Sequence, residues 1–476
     1  FFSCLFLHAL MQVCCGDTGD WSVPLLEDLG VKMCTIDPNR GRGLVATKGF
    51  ATGEVLWNED PVVRRQVYEN SFNVAVCTHC LQPIGTLGGQ LVYMAEGDAE
   101  DDSDDGGEEQ EEENMNDNPR AKALNQELPY LSKAEETFLS EIFSCPDCGD
   151  TFCSFECYQA ARKSYHRVTC GCDEDILDKF VTHALENDEV LLSVKQAVEC
   201  VIAEVDERLG KHTPDSGTEP NPKQVFDECA QPFLVLCHAP WHQMPDPEQT
   251  EAARWQVVCD SALRLRKCIQ IPVPQCCEVL FEPHTYARMA GALSLNNICV
   301  SFASPQQQYH ASWQSKFKAG DRIPESFKTV LQEIADVQKK RQEEWGIEEP
   351  TQYPFFPEFE GTALFRRLAL INHSCRPCVS YEFTGTSTLL LIATRPIAVG
   401  EELTISYCDE TADVAQRKEA LSHWGFTCEC QLCRVGGGGG GGKHHHDHND
   451  QQEEFKKVMQ QDAEGKRGRK RERDSK

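Results

Sequence analysis

Apolar residues recur at three- and four-residue spacing between residues 173 and about 209 (Phe180, Leu185, Val190, Leu191, Val194, Val198, Ile202, Val205), and again over 251–271. That is the period of helices with one buried face. A different pattern brackets the helical stretch. Residues 41–61 (GRGLVATKGFATGEVLWNEDP) read as short strands separated by glycine turns, and residues 388–397 and 402–407 are β-rich runs on either side of a turn at Gly400. Residues 145–170 are dense in cysteine. The order is strands, a cysteine-rich insert, helices and strands again, so the fold class is α+β, and no internal repeat is evident.

Two segments cannot contribute to a core. Residues 96–117 hold 13 acidic side chains and no basic one, a run that repels itself and stays solvated. Seven glycines at 436–442 precede a polar tail with His444, His445, His446 and His448, read as low-complexity surface, and six basic residues within 466–473. That basic cluster reads either as a nuclear-import or nucleic-acid contact or as a solvated end. Residues 1–11 are apolar but lack a basic leader and are too short to span a bilayer, so they read as a truncated start or a packed terminal element. No transmembrane helix is expected.

With 476 residues the chain has room for two to four domains, and its net charge of −30 argues against nucleic-acid or anionic-membrane binding outside the basic tail. The 26 cysteines are the outlier. In a chain this long, short paired spacings point to metal rather than to a disulfide framework.

Cys77-x2-Cys80, Cys145-x2-Cys148, Cys153-x3-Cys157 and His166-x3-Cys170 form four ligand pairs, enough for two tetrahedral zinc ions. Closed four-ligand sites leave no position for water, so these ions are expected to be structural. The 64 residues between the first and second pairs raise the closure entropy by roughly 2 kcal/mol over an eight-residue loop. A structural zinc contributes on the order of 10–16 kcal/mol, so the metal prevails. The alternative is a one-zinc finger in which Cys77 and Cys80 are buried thiols. Near the C-terminus, Cys428-x-Cys430-x2-Cys433 is one ligand short of a tetrahedron, and Cys375 of Asn372-His373-Ser374-Cys375 is the candidate for the fourth. The other cysteines read mostly as small buried thiols of a reducing compartment.

The finger spacing resembles a MYND domain, and NHSC followed by GEELTISY (400–407) and CxCxxC resembles a SET domain. Together they resemble the SET-and-MYND group of protein lysine methyltransferases, nearest its atypical type without a C-terminal helical-repeat domain. The resemblance covers residues 40–61, the finger and 361–433. It implies a SET β-fold split by the finger and a helical insert, with a post-SET zinc site. The implied boundaries are an uncertain segment 1–30, SET halves 31–76 and 286–410, a finger 77–170 enclosing a disordered acidic loop 95–120, a helical insert 171–285, a post-SET segment 411–434 and a disordered tail 435–476. The finger pairs interleave in that family, implying one zinc on Cys77, Cys80, Cys153 and Cys157 and another on Cys145, Cys148, His166 and Cys170. Cys375, Cys428, Cys430 and Cys433 would hold a third.

The implied activity is transfer of a methyl group from S-adenosylmethionine to a protein lysine. Such a reaction needs alignment of amine, methyl and sulfonium and delivery of a neutral amine, which burial in a narrow apolar channel favours. By resemblance Tyr407 is the catalytic tyrosine. Arg40, Asn372, His373, Phe426 and either Asn296 or Asn297 would bind the cofactor. Histones or ribosomal proteins suit an acidic enzyme as substrates, a proline-rich peptide suits the finger, and nucleus or cytoplasm is the implied location. A scaffold that has lost catalysis and recruits partners through the finger is the other reading. Three departures stand out. Cys378 occupies the place of a bracing Asn and is a rival to Cys375 for metal, Trp424 replaces a Tyr, and Arg42 lies at a variable position.

Overall fold

The computed structural model describes residues 26–37, 40–96, 115, 117–131, 142–211, 220–234, 236, 238–318, 321–344, 354–422 and 424–435. In chain order, β1 (Val31–Asp37), β2 (Gly41–Ala46), β3 (Val55–Glu59) and β4 (Val63–Gln66) lead into α1 (Leu87–Glu96) and α2 (Pro119–Glu127). The finger contributes β5 (Phe143–Ser144), β6 (Thr151–Phe152) and α3 (Phe155–Ser164). Then come α4 (Glu174–Asn187), α5 (Val190–Gly210), α6 (Pro222–Leu234), α7 (Glu251–Cys268) and α8 (Pro283–Asn296). β7 (Ile298–Phe302), α9 (Pro305–Lys316), α10 (Glu325–Glu344), β8 (Phe359–Leu364) and β9 (Asn372–His373) follow. β10 (Val379–Phe383), β11 (Leu389–Ala393), β12 (Thr404–Ile405), α11 (Val414–Ser422) and α12 (Gln431–Val435) come last, and a single helical turn at Tyr68–Ser71 and four short 3-10 turns lie among these elements.

The strands form small sheets that share one core. β10-β11-β3 and β4-β8-β7 are three-stranded and antiparallel, β1 pairs with β2, and β9 runs parallel to β12. β11 shows the period of two that a half-covered strand requires: Leu389, Leu391 and Ala393 are buried while Leu390 and Ile392 are partly covered. They pack with Leu44, Trp57, Phe359, Phe365 and Ile371. The two halves of this β core come from opposite ends of the chain, stitched by the Val45–Glu402 and Phe50–Ile397 bridges.

The helical pattern over 173–209 resolves into two helices rather than one. Asp188 between them is extended, and its carboxylate accepts the Val190 N–H at 2.9 Å and the Trp241 indole N–H at 2.8 Å. α5 then buries Leu191, Val194, Val198, Ile202 and Val205 along one stripe, against α4, α6 and α8. α8 passes so close to residues 239–241 that a Cβ on Gly291 would lie 1.7 Å from the Ala239 carbonyl oxygen.

A second helical layer was not among the expected elements. α1 and α2 pack on α9 and α10, burying Leu87, Leu91, Leu124, Trp313, Phe327, Leu331 and Ile334. Local chemistry starts these helices: Asn118 accepts from Arg120 N and Ala121 N with Pro119 in the first turn, and Ser304 accepts from Gln307 N with Pro305 beside it. Gln90, fully buried, donates to Ala75 O at 2.7 Å and accepts from Gln306 Nε2 at 2.8 Å, joining α1 to the finger entrance and to α9. Residues 95–96 and 119–120 belong to α1 and α2, so the stretch expected as a loop over 95–120 is helical at both ends. Most of the acidic run, residues 1–25 and the tail from 436 lie outside the described residues.

Candidate active site and metal centres

Three groups of four side chains converge, with their ligand atoms within 4.8 Å of one another: Cys77, Cys80, Cys153, Cys157; Cys145, Cys148, His166, Cys170; and Cys375, Cys428, Cys430, Cys433. The two finger groups interleave as the resemblance implied. Zinc lies about 2.3 Å from thiolate sulfur, which sets the edges of its tetrahedron near 3.8 Å. The observed separations match that scale: Cys80–Cys153 is 3.6 Å, Cys145–Cys170 3.6 Å, Cys375–Cys433 3.5 Å and Cys375–Cys428 3.8 Å. All twelve positions are thiols or imidazole and none of the cysteines is in a disulfide. The donor sets therefore fit zinc in closed sites.

The knuckle turns explain how short sequences aim two sulfurs at one point. Leu81 N–H returns to Cys77 O at 2.9 Å, and Gly149 N–H to Cys145 O at 2.9 Å, each residue in the left-handed region. Leu81 therefore adopts, at φ 61°, a conformation that favours glycine, and it is held there by near-complete burial. His166 Nε2 lies 3.3 Å from Cys145 Sγ while Nδ1 faces Asp150 Oδ2 at 3.3 Å, so Asp150 orients the ring. No sequence signal had singled out Asp150.

The second site forms where β9 and β12 pair, Asn372 opposite Thr404 and His373 opposite Ile405. Asn372 Nδ2 donates to Arg42 O and to Glu402 Oε1, both at 3.0 Å. Glu402 Oε2 in turn receives Arg40 Nη1 at 2.5 Å, and Arg40 Nη2 reaches His373 O at 3.4 Å. Gly43 has to be glycine here, since a Cβ would meet Asn372 Nδ2 at 2.7 Å, Ile36 Cγ1 at 2.9 Å and Glu402 Oε1 at 3.0 Å. Arg40 and Asn372 were expected at the site. Glu402, which bonds to both, was not singled out by its place in GEEL.

On the other side of β9 four rings meet. His373 and Tyr407 lie 5.3 Å apart, His373 and Phe426 5.8 Å, Tyr407 and Trp424 5.3 Å, and Tyr407 and Phe426 6.4 Å, edge-on. The Tyr407 hydroxyl donates to Ile371 O at 2.6 Å, and its backbone N–H donates to His373 Nδ1 at 3.0 Å. Burial, helped by the nearby Arg40 and Arg417 charges, pushes the His373 imidazole down to about 4, so it is neutral at physiological pH. Trp424 Nε1–H donates to Leu295 O at 3.0 Å, tying the cage to the end of α8. There Asn296 Nδ2 returns to Ala292 O at 2.7 Å, whereas Asn297 Nδ2 donates to Ser193 Oγ at 3.3 Å and its buried Oδ1 has no hydrogen-bond partner among the described residues.

Glu59, almost fully buried, accepts Arg367 N–H at 2.7 Å and Leu368 N–H at 3.3 Å and so anchors the turn that leads into β9. Cys378 does not rival Cys375. It is fully buried, takes the Thr404 N–H at 3.3 Å and donates to Glu402 O at 3.4 Å, bracing the β9–β12 junction in place of an amide.

Comparison with known proteins bears on this arrangement. The SET domain family model matches residues 41–408. The chain is 26% identical over 439 residues to the histone-lysine N-methyltransferase ATXR2 of Arabidopsis thaliana, covering 83% of this chain and 88% of that protein. It is 24% identical over 423 residues to the protein-lysine N-trimethyltransferase SMYD5 of Gallus gallus, covering 84% of each. The human SMYD5 is 22% identical over 428 residues, with 85% of this chain and 86% of that protein aligned. Among the described residues no helix is long and apolar enough to cross a membrane. With the matched stretch enclosing both strands that frame Asn372 and Tyr407, and relatives aligned along most of their length, the chain belongs to the SET-domain protein-lysine methyltransferase family.

Proposed function

We propose that the chain is an S-adenosylmethionine-dependent protein-lysine N-methyltransferase acting on histones or similarly basic proteins, with Tyr407 as its catalytic tyrosine. The observation that carries this reading is the pairing of a polar cradle (Arg40, Asn372, Glu402) with an aromatic cage (His373, Tyr407, Trp424, Phe426) across the two-residue strand β9. The cofactor, when bound, supplies the methyl group. Arg40 offers a guanidinium to a carboxylate, and the Asn372 amide and the His373 backbone border the same side. Asn296 and Asn297 are candidates to bind its amino-acid end, and Asn297 Oδ1 is an acceptor without a partner among the described residues. The rings exclude water from a lysine side chain and disfavour its charged form, which lowers its pKa from about 10.4 toward the neutral amine that transfer requires. Tyr407, whose hydroxyl is fixed by its bond to Ile371 O, is the group in the cage placed to orient that amine.

Zinc at the three four-ligand clusters has a structural role in this reading: the finger ions hold Cys77–Cys170 together, and the third binds the segment carrying Phe426 to Cys375. The chain's net charge of −30 favours a basic substrate. The names of the relatives, a histone-lysine methyltransferase and protein-lysine trimethyltransferases, support that class. The finger is the candidate partner surface for proline-rich segments, and the basic tail is the candidate nuclear-import signal. Calorimetry with S-adenosylmethionine, then radiolabelled methyl transfer to core histones and ribosomal proteins, tests the proposal. Tyr407→Phe is expected to bind cofactor within about threefold of the native chain and to transfer methyl at least about 100-fold more slowly. A native chain that binds no cofactor would leave the scaffold reading in its place.

A further inference from the structure

We infer that Arg417 is the built-in counter-ion of the post-SET thiolate cluster. Arg417, on α11, is among the largest fully buried side chains, at 0% exposure. Its Nη1 donates to Ala412 O, its Nη2 faces Cys433 Sγ at 3.9 Å, and its Nε has no hydrogen-bond partner among the described residues. No carboxylate pairs with it among the described residues. Asp413, one turn away, commits Oδ1 to the N–H groups of Ala415 and Gln416 at 2.8 and 2.9 Å, and Asp409 commits Oδ1 to Thr411 N–H at 2.8 Å. A guanidinium cannot shed its proton, so burying it without a counter-charge is strongly unfavourable.

The missing charge lies in the cluster it faces. Coordination deprotonates cysteine outright, so one Zn2+ in four thiolates carries a net charge of −2. The loaded cluster thus compensates Arg417.

α11 joins Arg417 to the aromatic cage. Leu421 anchors its last turn in the core at 1% exposure, Trp424 N–H returns to Leu421 O at 3.1 Å and Gly425 N–H to Ser422 O at 2.9 Å. The helix therefore delivers Trp424 and Phe426, two walls of the cage around Tyr407. Arg417 is a positioning residue, touching neither substrate nor cofactor.

The inference rests on zinc occupying this cluster, and its test separates the two. Full-length zinc-loaded chain is mixed with excess chelator and release is followed with a metallochromic dye, the post-SET phase being the one that Cys430→Ser removes. Arg417→Met is expected to speed that phase by about 10- to 100-fold and leave the finger phases unchanged, while Arg417→Lys, which keeps the charge, stays within about threefold. Release from Arg417→Met within twofold of the native chain, or equal acceleration in both variants, would overturn the pairing. If the Met variant does not fold, Arg417→Gln against Arg417→Lys makes the same decision: a fast Gln and slow Lys support it, and equal rates overturn it. If the native chain holds fewer than three zinc ions and Cys430→Ser removes no phase, the zinc assignment fails and the counter-ion falls with it, whatever the methyl-transfer assay gives.

Discussion

Adding one methyl group at Gly43 tests whether the polar cradle has the tolerance the geometry assigns it. In Gly43→Ala the new Cβ would sit 2.7 Å from Asn372 Nδ2, 2.9 Å from Ile36 Cγ1 and 3.0 Å from Glu402 Oε1. Ordinary contacts of this kind start near 3.5 Å, so three neighbours on three sides each have to yield by roughly 0.5 Å or more. Ile36 can rotate, but Asn372 and Glu402 are tied to each other and to Arg42 O and Arg40. Moving the Asn372 amide weakens one neutral hydrogen bond and one to a carboxylate, together about 2–4 kcal/mol. If half of that loss falls on the cofactor cradle rather than on the fold, cofactor binding weakens about 5- to 30-fold, at 1.4 kcal/mol per tenfold. Titration calorimetry with S-adenosylmethionine on the native and Gly43→Ala chains measures the change directly, and a thermal melt reports the part borne by the fold. Binding within twofold of native together with an unshifted melt would refute the argument, because it would mean that the cradle can move aside without cost.

Three further outcomes follow from buried groups and close approaches. Glu59→Ala leaves the Arg367 and Leu368 N–H groups without their acceptors and is expected to lower unfolding stability by about 2–3 kcal/mol in urea titrations, whereas Glu59→Gln, which keeps one acceptor oxygen but turns an NH2 toward the other N–H, is expected to lose about 1–2 kcal/mol. Desolvation raises the Glu59 pKa above its ordinary 4.5, so the folded chain holds that proton more tightly than the unfolded one. Its contribution to stability is therefore fully present below 4.5 and is lost as pH rises through the folded value. Glu59→Gln should flatten the slope of stability against pH in that window, and an unchanged slope would show that Glu59 is not its source. Gly291→Ala brings a Cβ within 1.7 Å of a backbone oxygen that has no rotamer to escape into, and a loss of about 1–3 kcal/mol or more in unfolding free energy by urea titration is expected. A neutral result would show that α8 can shift freely against residues 239–241.

Much of this site is legible in sequence because metal ligands come in short, rigid pairs. Cys77-x2-Cys80 and Cys145-x2-Cys148 specify their own turns, down to the left-handed residue that follows each. Which pair joins which is not a local property: Cys80 meets Cys153 across 73 residues, and only the resemblance to known fingers suggests it. The helix period over 190–205 reads directly, but its break at Asp188 depends on Trp241, a partner 53 residues away. Phe327, Val330, Leu331 and Ile334 carry the same period, so α10 is readable too. Its burial is not, since the opposing stripe comes from Leu87, Leu91 and Leu124. Glu402 and Arg417 escape a linear reading for the same reason. A carboxylate bridging Arg40 and Asn372, or a guanidinium facing Cys433, becomes meaningful only when distant segments share a volume.

The joining of β2 to the region of β12 sets a clock on biosynthesis. Arg40 and Glu402 are 362 residues apart, and β9 cannot be framed until β12 has been made. At ribosomal speeds of about 5–20 residues per second, the N-terminal strands wait on the order of 20–70 s for the strands that cover them. Throughout that interval Leu44, Trp57 and the edge of β2 are exposed on the nascent chain. The distance in sequence that makes the cradle possible therefore leaves newly made chains open to association until β12 is in place. Truncation shortly before residue 400 should yield aggregate rather than a smaller folded protein.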